Sequence, residues 1–364
     1  MTITPTAATT PTTVPGAYMR AEIAEQPYRW LDLIDWKRPA LEAAAGLIRE
    51  AEPQLLVFAA RGSSDHAAIY GQYLAHNLLG VPALLATPST VTAFGTELRY
   101  PASVMLAVSQ SGESPDLLDT VRAAKRAGVP IVAFTNNEMS PLAALGEVHV
   151  PLMAGAELSV AATKTYTAEL LTLYVVLSLA AGVAWNDVAS QVRIAVNAAT
   201  SVLKNTAPIV ADLAEKLTAV ERILVVGRGY SMSTAKEGAL KLMETNAIAA
   251  SGWSAADATH GPLGQVVEST PVIVLTASPA GRDSVERFAS AAAILGGRMI
   301  IVGPGGDDNA EHVPLAALDS VGLDTALIPL LEIIPLQQLA LALSLATGKN
   351  PDLPAGLNKV TKTL

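Results

Sequence analysis

An internal repeat is the feature that most constrains the fold of this chain. A shift of 167 residues aligns the segment 55–64 (LLVFAARGSS) with 222–231 (RILVVGRGYS), and the same shift aligns 109–111 with 276–278. A slightly smaller shift repeats the letters HVPL at 312–315. Because several matches come in the same order, the sequence predicts two similar domains in tandem.

Each repeat alternates short apolar runs with segments of helical periodicity. The apolar runs are bounded by Gly, Pro or Ser and predict buried strands, while the segments between them predict helices. Strands that alternate with helices form βαβ units and a mainly parallel sheet. We therefore predict an α/β fold of two doubly wound, flavodoxin-like domains. The predicted strands are 55–60, 104–108, 131–134, 223–226, 272–275 and 299–302, and the predicted helices are 67–79, 116–127, 231–246 and 283–295.

Composition and pattern also suggest where the segments begin and end. Residues 1–16 are rich in Thr, Pro and Ala and predict a disordered tail that is not a signal peptide. We expect the first domain, with an N-terminal helical segment, at 17–200 and the second at 201–349. The Pro-containing segment 350–364 is expected to be a C-terminal tail.

Two apolar stretches could suggest a membrane span. The stretch 170–185 is shorter than the roughly 20 residues that a span needs. The stretch 326–347 is long enough, but Pro, Glu and Gln residues interrupt it. Both predict buried helices, so we expect no membrane partner.

Charge and cysteine content exclude several function classes. Lys and Arg number 24 against 33 Asp and Glu, which gives a net charge of −9 without a basic run. We therefore expect no nucleic-acid partner. The sequence contains no cysteine, which excludes disulfides, thiolate metal sites and cysteine nucleophiles and fits a reducing compartment.

Gly and Ser residues follow two of the predicted strands of the first repeat. The sequences RGSS at 61–64 and SQSGES at 109–114 each end a strand and open a helix. Ligands bind at the carboxyl ends of parallel strands, and Ser hydroxyls with free helix N–H groups suit a phosphate monoester. The alternative is that Ser111 and Ser114 only cap the following helix.

The polar residues of one predicted helix and one histidine are further candidates for functional residues. Glu237, Lys241 and Glu244 lie on the predicted helix 231–246, where the first two also fit a surface ion pair. His260 lies in a segment bounded by Gly and Pro that we expect to be irregular, and a structural role there is as plausible as a functional one.

Metal and nucleotide cofactors are not predicted. No cluster of His or carboxylate residues has metal-ligand spacing. The sequence GRGYSM at 227–232 has Met where the dinucleotide fingerprint needs its third Gly or Ala, and no Walker loop occurs.

Four motifs together resemble a known family. SQSGES at 109–114, VAATK at 160–164, EGALKLME at 237–244 and HGPL at 260–263 come in this order across the two repeats. The combination resembles the double SIS (sugar isomerase) module of glucosamine-6-phosphate synthase, from about residue 20 to the C-terminus. The resemblance implies a sugar phosphate ligand, such as fructose 6-phosphate or glucosamine 6-phosphate, and a homodimer.

The resemblance also implies a role for each matching residue. Glu244 takes the place of the base that moves a proton between sugar carbons 1 and 2, and Lys241 lies beside it. His260 matches a ring-opening histidine that comes from the partner subunit, and Lys359 matches a tail lysine that closes over the open-chain sugar. The implied substrate-binding residues are Arg61, Gly62, Ser63, Ser64, Ser109, Gln110, Ser111, Ser114, Val160 and Ala162.

Departures from the synthase point to its glutaminase-free branch. Arg61 and Ala162 stand where the synthase has Cys and Ser, and this chain has neither its glutaminase domain nor a cysteine. The sequence RGSSDH at 61–66 and the tail resemble isomerase-type glucosamine-6-phosphate deaminases and deglycases of phosphorylated fructosamines. We expect a cytoplasmic deaminase without glutamine amidotransferase activity. The alternatives are a fructosamine-6-phosphate deglycase, another sugar phosphate isomerase and a non-catalytic sugar-phosphate sensor.

Overall fold

The computed structural model describes residues 14–305, 309–315 and 322–359, and within them strands and helices alternate in two repeats. The first repeat consists of α1 (Ala17–Trp36), α2 (Arg38–Ala51), β1 (Leu55–Ala59), α3 (Ser63–Leu74, continued by a π-helical turn at Ala75–Leu79), β2 (Ala83–Leu85), α4 (Pro88–Thr92), β3 (Ser103–Ser109), α5 (Pro115–Arg126), β4 (Ile131–Thr135), α6 (Pro141–Leu145), β5 (Val148–Pro151) and α7 (Lys164–Ala180). A long helix, α8 (Trp185–Lys216), leads to the second repeat. That repeat consists of β6 (Arg222–Gly227), α9 (Ser231–Asn246), β7 (Ala249–Ser254), α10 (Ala255–His260), a 3₁₀ turn (Pro262–Gln265), β8 (Pro271–Leu275), α11 (Arg282–Ile294), β9 (Arg298–Val302), β10 (Glu311–Val313), a second 3₁₀ turn (Thr325–Leu327) and α12 (Ile328–Ala346).

Both repeats form a five-stranded sheet with the same topology. The first sheet has the order β2-β1-β3-β4-β5 and the second the order β7-β6-β8-β9-β10. Every strand pair in both sheets is parallel. This is the flavodoxin-like order, in which the chain reverses direction beside the first strand of each sheet. The predicted fold class is confirmed.

Strand alternation divides the interior into three apolar cores. Successive side chains of a strand point to opposite faces of the sheet. Leu56 of β1 and Ile223 of β6 therefore belong to one core that lies between the two sheets. Val57 and Leu224, the next residues of the same strands, belong to two separate outer cores. The two domains thus share their central core.

The two apolar stretches of the sequence form helices inside this protein interior. Every residue of α7 is buried. The segment Thr325–Ala346 is long and apolar enough to cross a membrane, yet 89% of its most apolar stretch is buried within the fold. Burial of this kind is typical of a core helix, as the sequence predicts.

The structure adds strands at the sheet edges to those that the sequence predicts, and the expected domain boundary falls inside a helix. Helix α8 runs without interruption across the expected boundary between residues 200 and 201. Strands β2, β5, β7 and β10 were not predicted, and each is an edge strand. Residues 1–13 of the predicted N-terminal tail and 360–364 of the C-terminal tail lie outside the described residues. Gly16, expected in the N-terminal tail, donates its N–H to Asn350 Oδ1 at 3.2 Å.

Close packing of β7 against α9 gives a test of this architecture. A Cβ added at Gly252 of β7 would overlap the backbone of Ala235 and Lys236 in α9. We expect Gly252→Ala to lower the free energy of unfolding by about 1–3 kcal/mol, because neither backbone can move freely. The measurement is the urea midpoint of purified protein.

Gly46→Ala is the matched control, because Gly46 lies inside α2 and a Cβ there would meet nothing within 4 Å. This change is expected to raise stability by about 0.5–1 kcal/mol. Equal effects of the two substitutions would contradict the close approach of β7 and α9.

Candidate active site

A cavity of about 350 Å³ lies at the carboxyl edge of the first sheet. The turns after β1 and β3, the loop before α7, one residue of α9 and the C-terminal segment all contribute to its wall. Residues from both repeats and from the tail therefore meet in one cavity. The lining residues are Arg61, Gly62, Ser63, Ser64, Ser109, Gln110, Ser111, Ser114, Val160, Ala162, Glu244, Leu357, Asn358 and Lys359.

The structure brings together all ten residues expected to bind substrate. Glu244 and Lys359, two of the four residues expected to be catalytic, also line the cavity. Lys241 lies next to this wall, where its side chain is completely buried. His260 does not line the cavity of its own chain and is exposed.

A glycine with positive φ occurs in each of the two turns that form the serine-rich wall. In the turn after β1, Gly62 has a φ of +56°. Gly229, at the equivalent position of the second repeat, has a similar φ of +60°. Such backbone favours glycine, and it lets the chain turn directly from strand into helix. Gly112 also has a positive φ, of +66°, and its N–H donates to Ser109 Oγ at 3.1 Å.

Helix capping does not account for the serines of these turns. Ser114 is the N-cap residue of α5, yet its side chain makes no capping hydrogen bond, and α3 also has no side-chain cap. Ser111 Oγ accepts from Glu113 N at 3.3 Å, within the turn itself. The capping alternative is therefore not supported, and the hydroxyl groups of Ser111 and Ser114 line the cavity.

Arg61 lines the cavity and is paired with a carboxylate. Its Nε and Nη2 atoms lie 2.7 Å and 2.5 Å from Asp116 Oδ2. Asp116 is buried in the first turn of α5, just after Ser114. The guanidinium group is thus held beside the serine turn at 109–114.

A set of buried charges on α9 lies beside the serine turn that follows β1. Lys241 Nζ lies 2.5 Å from Glu244 Oε2, 3.2 Å from Glu237 Oε1 and 3.1 Å from Ser63 Oγ. Glu237 and Lys241 are fully buried, so the ion pair that their spacing allowed forms in the protein interior and not on the surface. Glu244 keeps 23% of its side-chain exposure and is the one carboxylate among the lining residues.

Mutual attraction keeps these groups charged. Burial acts to lower the pKa of Lys241, but Glu237 and Glu244 outweigh it and the pKa is raised. Burial acts to raise the pKa of Glu237, but Lys241 and His66 outweigh it and the pKa is lowered. Lys241 therefore stays an ammonium ion next to Glu244.

The C-terminal segment is fastened at two points and closes one side of the cavity. Asp352 accepts hydrogen bonds from Met19 N at 2.9 Å and Tyr18 N at 3.1 Å, which satisfies free N–H groups at the start of α1. Lys359 Nζ donates to Glu157 Oε2 at 2.9 Å and to the carbonyl oxygen of Ser159 at 2.7 Å. The tail lysine is therefore positioned at the cavity by a buried carboxylate.

Glu157 and Glu169 are buried carboxyl groups near the cavity that the sequence analysis did not identify. Glu157 also accepts from Thr163 N at 2.9 Å and Thr165 N at 3.1 Å, and it thereby shapes the loop that carries Val160. Glu169 Oε1 accepts from Ser64 Oγ at 2.7 Å, and burial raises its pKa well above the ordinary value. A signal for Glu169 existed, because the shift that repeats HVPL also places it over Glu332.

The setting of His260 differs from the sequence prediction. It is the last residue of the short helix α10, not part of an irregular segment, and a 3₁₀ turn follows it. Because its own chain does not bring it to Glu244, its contribution from a partner subunit stays a prediction. Within the described ranges, no group of three or more His, Asp or Glu side chains is arranged to hold a metal ion.

Two flavodoxin-like domains with a polar cavity at one sheet edge define a class of α/β proteins that bind small polar ligands. Within that class, the chain belongs to the SIS domain family, whose model matches residues 48–179 and 216–326. The resemblance seen in the motifs is thereby confirmed.

Individual relatives agree with the family. A glutamine–fructose-6-phosphate aminotransferase (isomerizing) of Pyrobaculum aerophilum is 32% identical over 351 residues, covering 94% of this chain and 57% of the relative. The chain thus spans just over half the length of such curated relatives. A crystal structure from Silicibacter pomeroyi DSS-3, provisionally called a phosphosugar isomerase, has a TM-score of 0.83 and 30% identity and covers 93% of this chain and all of that one.

A glucosamine-6-phosphate deaminase from Thermotoga maritima shares the fold, with a TM-score of 0.73 and 19% identity over 95% of this chain and 100% of that one. Together these relatives confirm the predicted family and fold and support the prediction of an SIS-family enzyme.

The ion pair between Glu157 and Lys359 gives a pH-dependent prediction. Burial acts to raise the pKa of Glu157, but Lys359 and two backbone N–H groups outweigh it, so the pKa lies below the usual 4.5. The stabilisation is therefore present above pH 4.5 and is lost as the pH falls through the lowered pKa. We expect Glu157→Gln to lower the free energy of unfolding at pH 7 by about 2 kcal/mol.

The difference between Glu157→Gln and the parent protein should shrink as the pH falls below the usual glutamate pKa, measured by urea unfolding. Glu138→Gln is the control, because Glu138 pairs with Lys37 but is 60% exposed. It is expected to change stability by less than about 1 kcal/mol. A difference for Glu157→Gln that stays constant on acidification would contradict the assigned ion pair.

Proposed function

We propose that this chain is a glucosamine-6-phosphate deaminase, which converts glucosamine 6-phosphate and water into fructose 6-phosphate and ammonia. One observation carries the proposal. A single cavity is lined both by the hydroxyl-rich turns and by the carboxylate of Glu244, which lies 2.5 Å from the buried ammonium of Lys241. The turns suit an anion, and the carboxylate suits proton transfer.

The serine turns are proposed to hold the phosphate. The cavity wall offers the hydroxyls of Ser111 and Ser114, and the N-termini of α3 and α5 begin at these turns. Free N–H groups and the positive end of a helix dipole favour a phosphate there. Because the phosphate is remote from the reacting carbons, its binding energy positions carbons 1 and 2 at Glu244.

Glu244 is proposed to move the proton between the sugar carbons. In the open-chain substrate it takes the proton from carbon 2 and a proton is returned to carbon 1, which converts the amino aldehyde into a ketimine. Water then adds to the ketimine and ammonia leaves. Lys241 donates to Ser63 Oγ at 3.1 Å beside Glu244, and Ser63, which lines the cavity, is proposed to donate to a substrate oxygen on which negative charge develops.

The tail and a partner subunit are proposed to complete the site. Lys359 closes over the open-chain sugar, and His260 from the partner subunit of a homodimer opens the sugar ring. No cysteine is present among the 364 residues, so no residue of this sequence supplies a thiol for glutamine hydrolysis. We place the enzyme in the cytoplasm, since a chain without cysteine suits a reducing compartment.

Product analysis tests the proposal directly. Glucosamine 6-phosphate should yield ammonia and fructose 6-phosphate in equal amounts without glutamine, while glucosamine without phosphate should be a poor substrate. Release of a larger amine from a fructosamine 6-phosphate identifies a deglycase instead. Aldose–ketose conversion without ammonia identifies an isomerase, and binding without turnover identifies a sensor.

The variant Glu244→Gln separates binding from proton transfer. It keeps the shape of the side chain but removes the base, so turnover should fall by about 10²–10⁴-fold while fructose 6-phosphate still binds. Exchange of the carbon-2 hydrogen in deuterated water, followed by NMR, should be lost as well. The control is Glu113→Gln, an exposed carboxylate in the serine turn that does not line the cavity. Exchange at the parent rate by Glu244→Gln would exclude Glu244 as the base.

Mixed dimers test whether His260 crosses to the partner. His260→Asn should impair turnover from the cyclic sugar, and Glu244→Gln should be inactive for the reason above. After subunit exchange, a mixed dimer holds one complete site if His260 serves the partner, so up to about half of the parent activity per dimer should return. If exchange is verified by mass spectrometry and activity stays absent, His260 does not act across the interface.

A further inference from the structure

His66 connects the serine turn of the first domain to the buried charges of the second. It lies in the first turn of α3, three residues after Ser63. Its Nδ1 atom is 2.8 Å from Glu237 Oε2, on α9. The other oxygen of Glu237 faces Lys241 Nζ at 3.2 Å, and Lys241 Nζ in turn faces Ser63 Oγ at 3.1 Å. The contacts form a closed ring between the two helices.

The position of His66 is fixed on its backbone side too. Its carbonyl oxygen accepts a hydrogen bond from Ser233 Oγ at 2.8 Å, and Ser233 Oγ lies 2.7 Å from Tyr166 Oη of α7. These hydrogen bonds tie the backbone of α3 at His66 to α9 and α7, next to the contact of the imidazole with Glu237. The side chain of His66 retains 19% exposure, whereas that of Glu237 has none.

We propose that His66 is a positioning residue for proton transfer, because it holds Glu237 so that Lys241 is shared between Glu237 and Glu244. The inference rests on the proposed role of Glu244 as the base. Lys241 Nζ has two carboxylate neighbours, and its distance to each depends on what else binds them. Without His66, Glu237 loses its partner on Oε2 and draws Lys241 away from Glu244 and Ser63.

Other ionisable groups lie around this ring. Lys241 contacts both Glu237 and Glu244 on α9, and Tyr166 and Glu169 of α7 interact electrostatically with Glu237. Asp65 lies beside His66 on α3. Burial acts to raise the pKa of Glu237, and Lys241, His66 and Ser63 outweigh it. Removal of His66 therefore takes from Glu237 the partner of its Oε2 atom.

Two variants of His66 and one control test the proposal. His66→Ala removes the contact, whereas His66→Asn puts an amide nitrogen near the position of Nδ1 and can still donate to Glu237. The control is Tyr73→Phe, which removes a different contact between α3 and the start of α9, from Tyr73 Oη to Met232 Sδ at 3.6 Å.

The expected result is a loss of kcat with little change in substrate binding. His66→Ala should lower kcat by about tenfold or more, because a displacement of about 1 Å can cost on the order of 100-fold. The affinity for fructose 6-phosphate, measured by calorimetry, should stay within about twofold, since the change affects the transition state. His66→Asn should recover most of the activity, and Tyr73→Phe should leave kcat unchanged. An unchanged kcat in His66→Ala would overturn the proposal.

A double variant shows whether His66 acts through Glu237. In a Glu237→Gln protein, the contacts of residue 237 with His66 and Lys241 are already weakened. Adding His66→Ala to this protein should therefore have little further effect on kcat. If the two losses multiply in full, His66 acts by another route and the proposal is wrong.

The crystal structure of His66→Ala gives a readout that does not depend on activity. We expect the Lys241–Glu244 contact, now 2.5 Å, to lengthen beyond hydrogen-bond distance. An unchanged contact would overturn the positioning role even if the protein proves inactive on every sugar phosphate. Absence of carbon-2 exchange in the parent protein would instead reject the proposed function, so the two failures are distinguishable.

Discussion

One apolar core shared by both sheets is the constraint on which the site depends. Helices α7 and α12 are buried in it, so the domains cannot separate without exposing a large apolar area. This packing holds α3 against α9, and there the fully buried ammonium of Lys241 meets Glu237 and Glu244. An unpaired buried charge would lower the stability of the fold by several kcal/mol. The packing of the core must therefore hold these charged side chains in contact with one another.

The duplication left two similar turns, and they have diverged in chemistry. Ser231 and Glu332 lie at positions equivalent to Ser64 and Glu169, and burial raises the pKa of both carboxyl groups, that of Glu332 to about 7. In the second repeat, however, the guanidinium of Arg282 donates to two carbonyl oxygens of the loop that corresponds to the serine turn. A side chain of the protein thus binds the loop carbonyls in the second copy, whereas in the first copy the loop lines the cavity that also contains Glu244.

Sequence patterns predicted the central strands and the serine turns but not the elements that depend on distant neighbours. The four strands that were missed are edge strands, with fewer fully buried positions and therefore a weaker apolar pattern. The serine turns were predictable because parallel strands bring their carboxyl ends to one edge. His66, Asp116 and Glu157 were not, since each acts on a partner 55 or more residues away. Likewise, the burial of Lys241 follows from the docking of α9 on α3, which its helical spacing alone does not reveal.

The charge balance of the cavity bears on the proposal that a chain of net charge −9 binds an anionic ligand. Both cations among the lining residues are already paired with a carboxylate: Arg61 pairs with Asp116, and Lys359 pairs with Glu157. The buried Lys241 beside the cavity is shared between two more. The proposed phosphate would therefore meet few uncompensated positive charges, and hydroxyls, N–H groups and helix dipoles would supply much of its binding. Because these donors are neutral, the net charge of the chain does not predict whether this site binds an anion. An ion pair with the ligand would require Arg61 or Lys359 to exchange its carboxylate partner for the ligand.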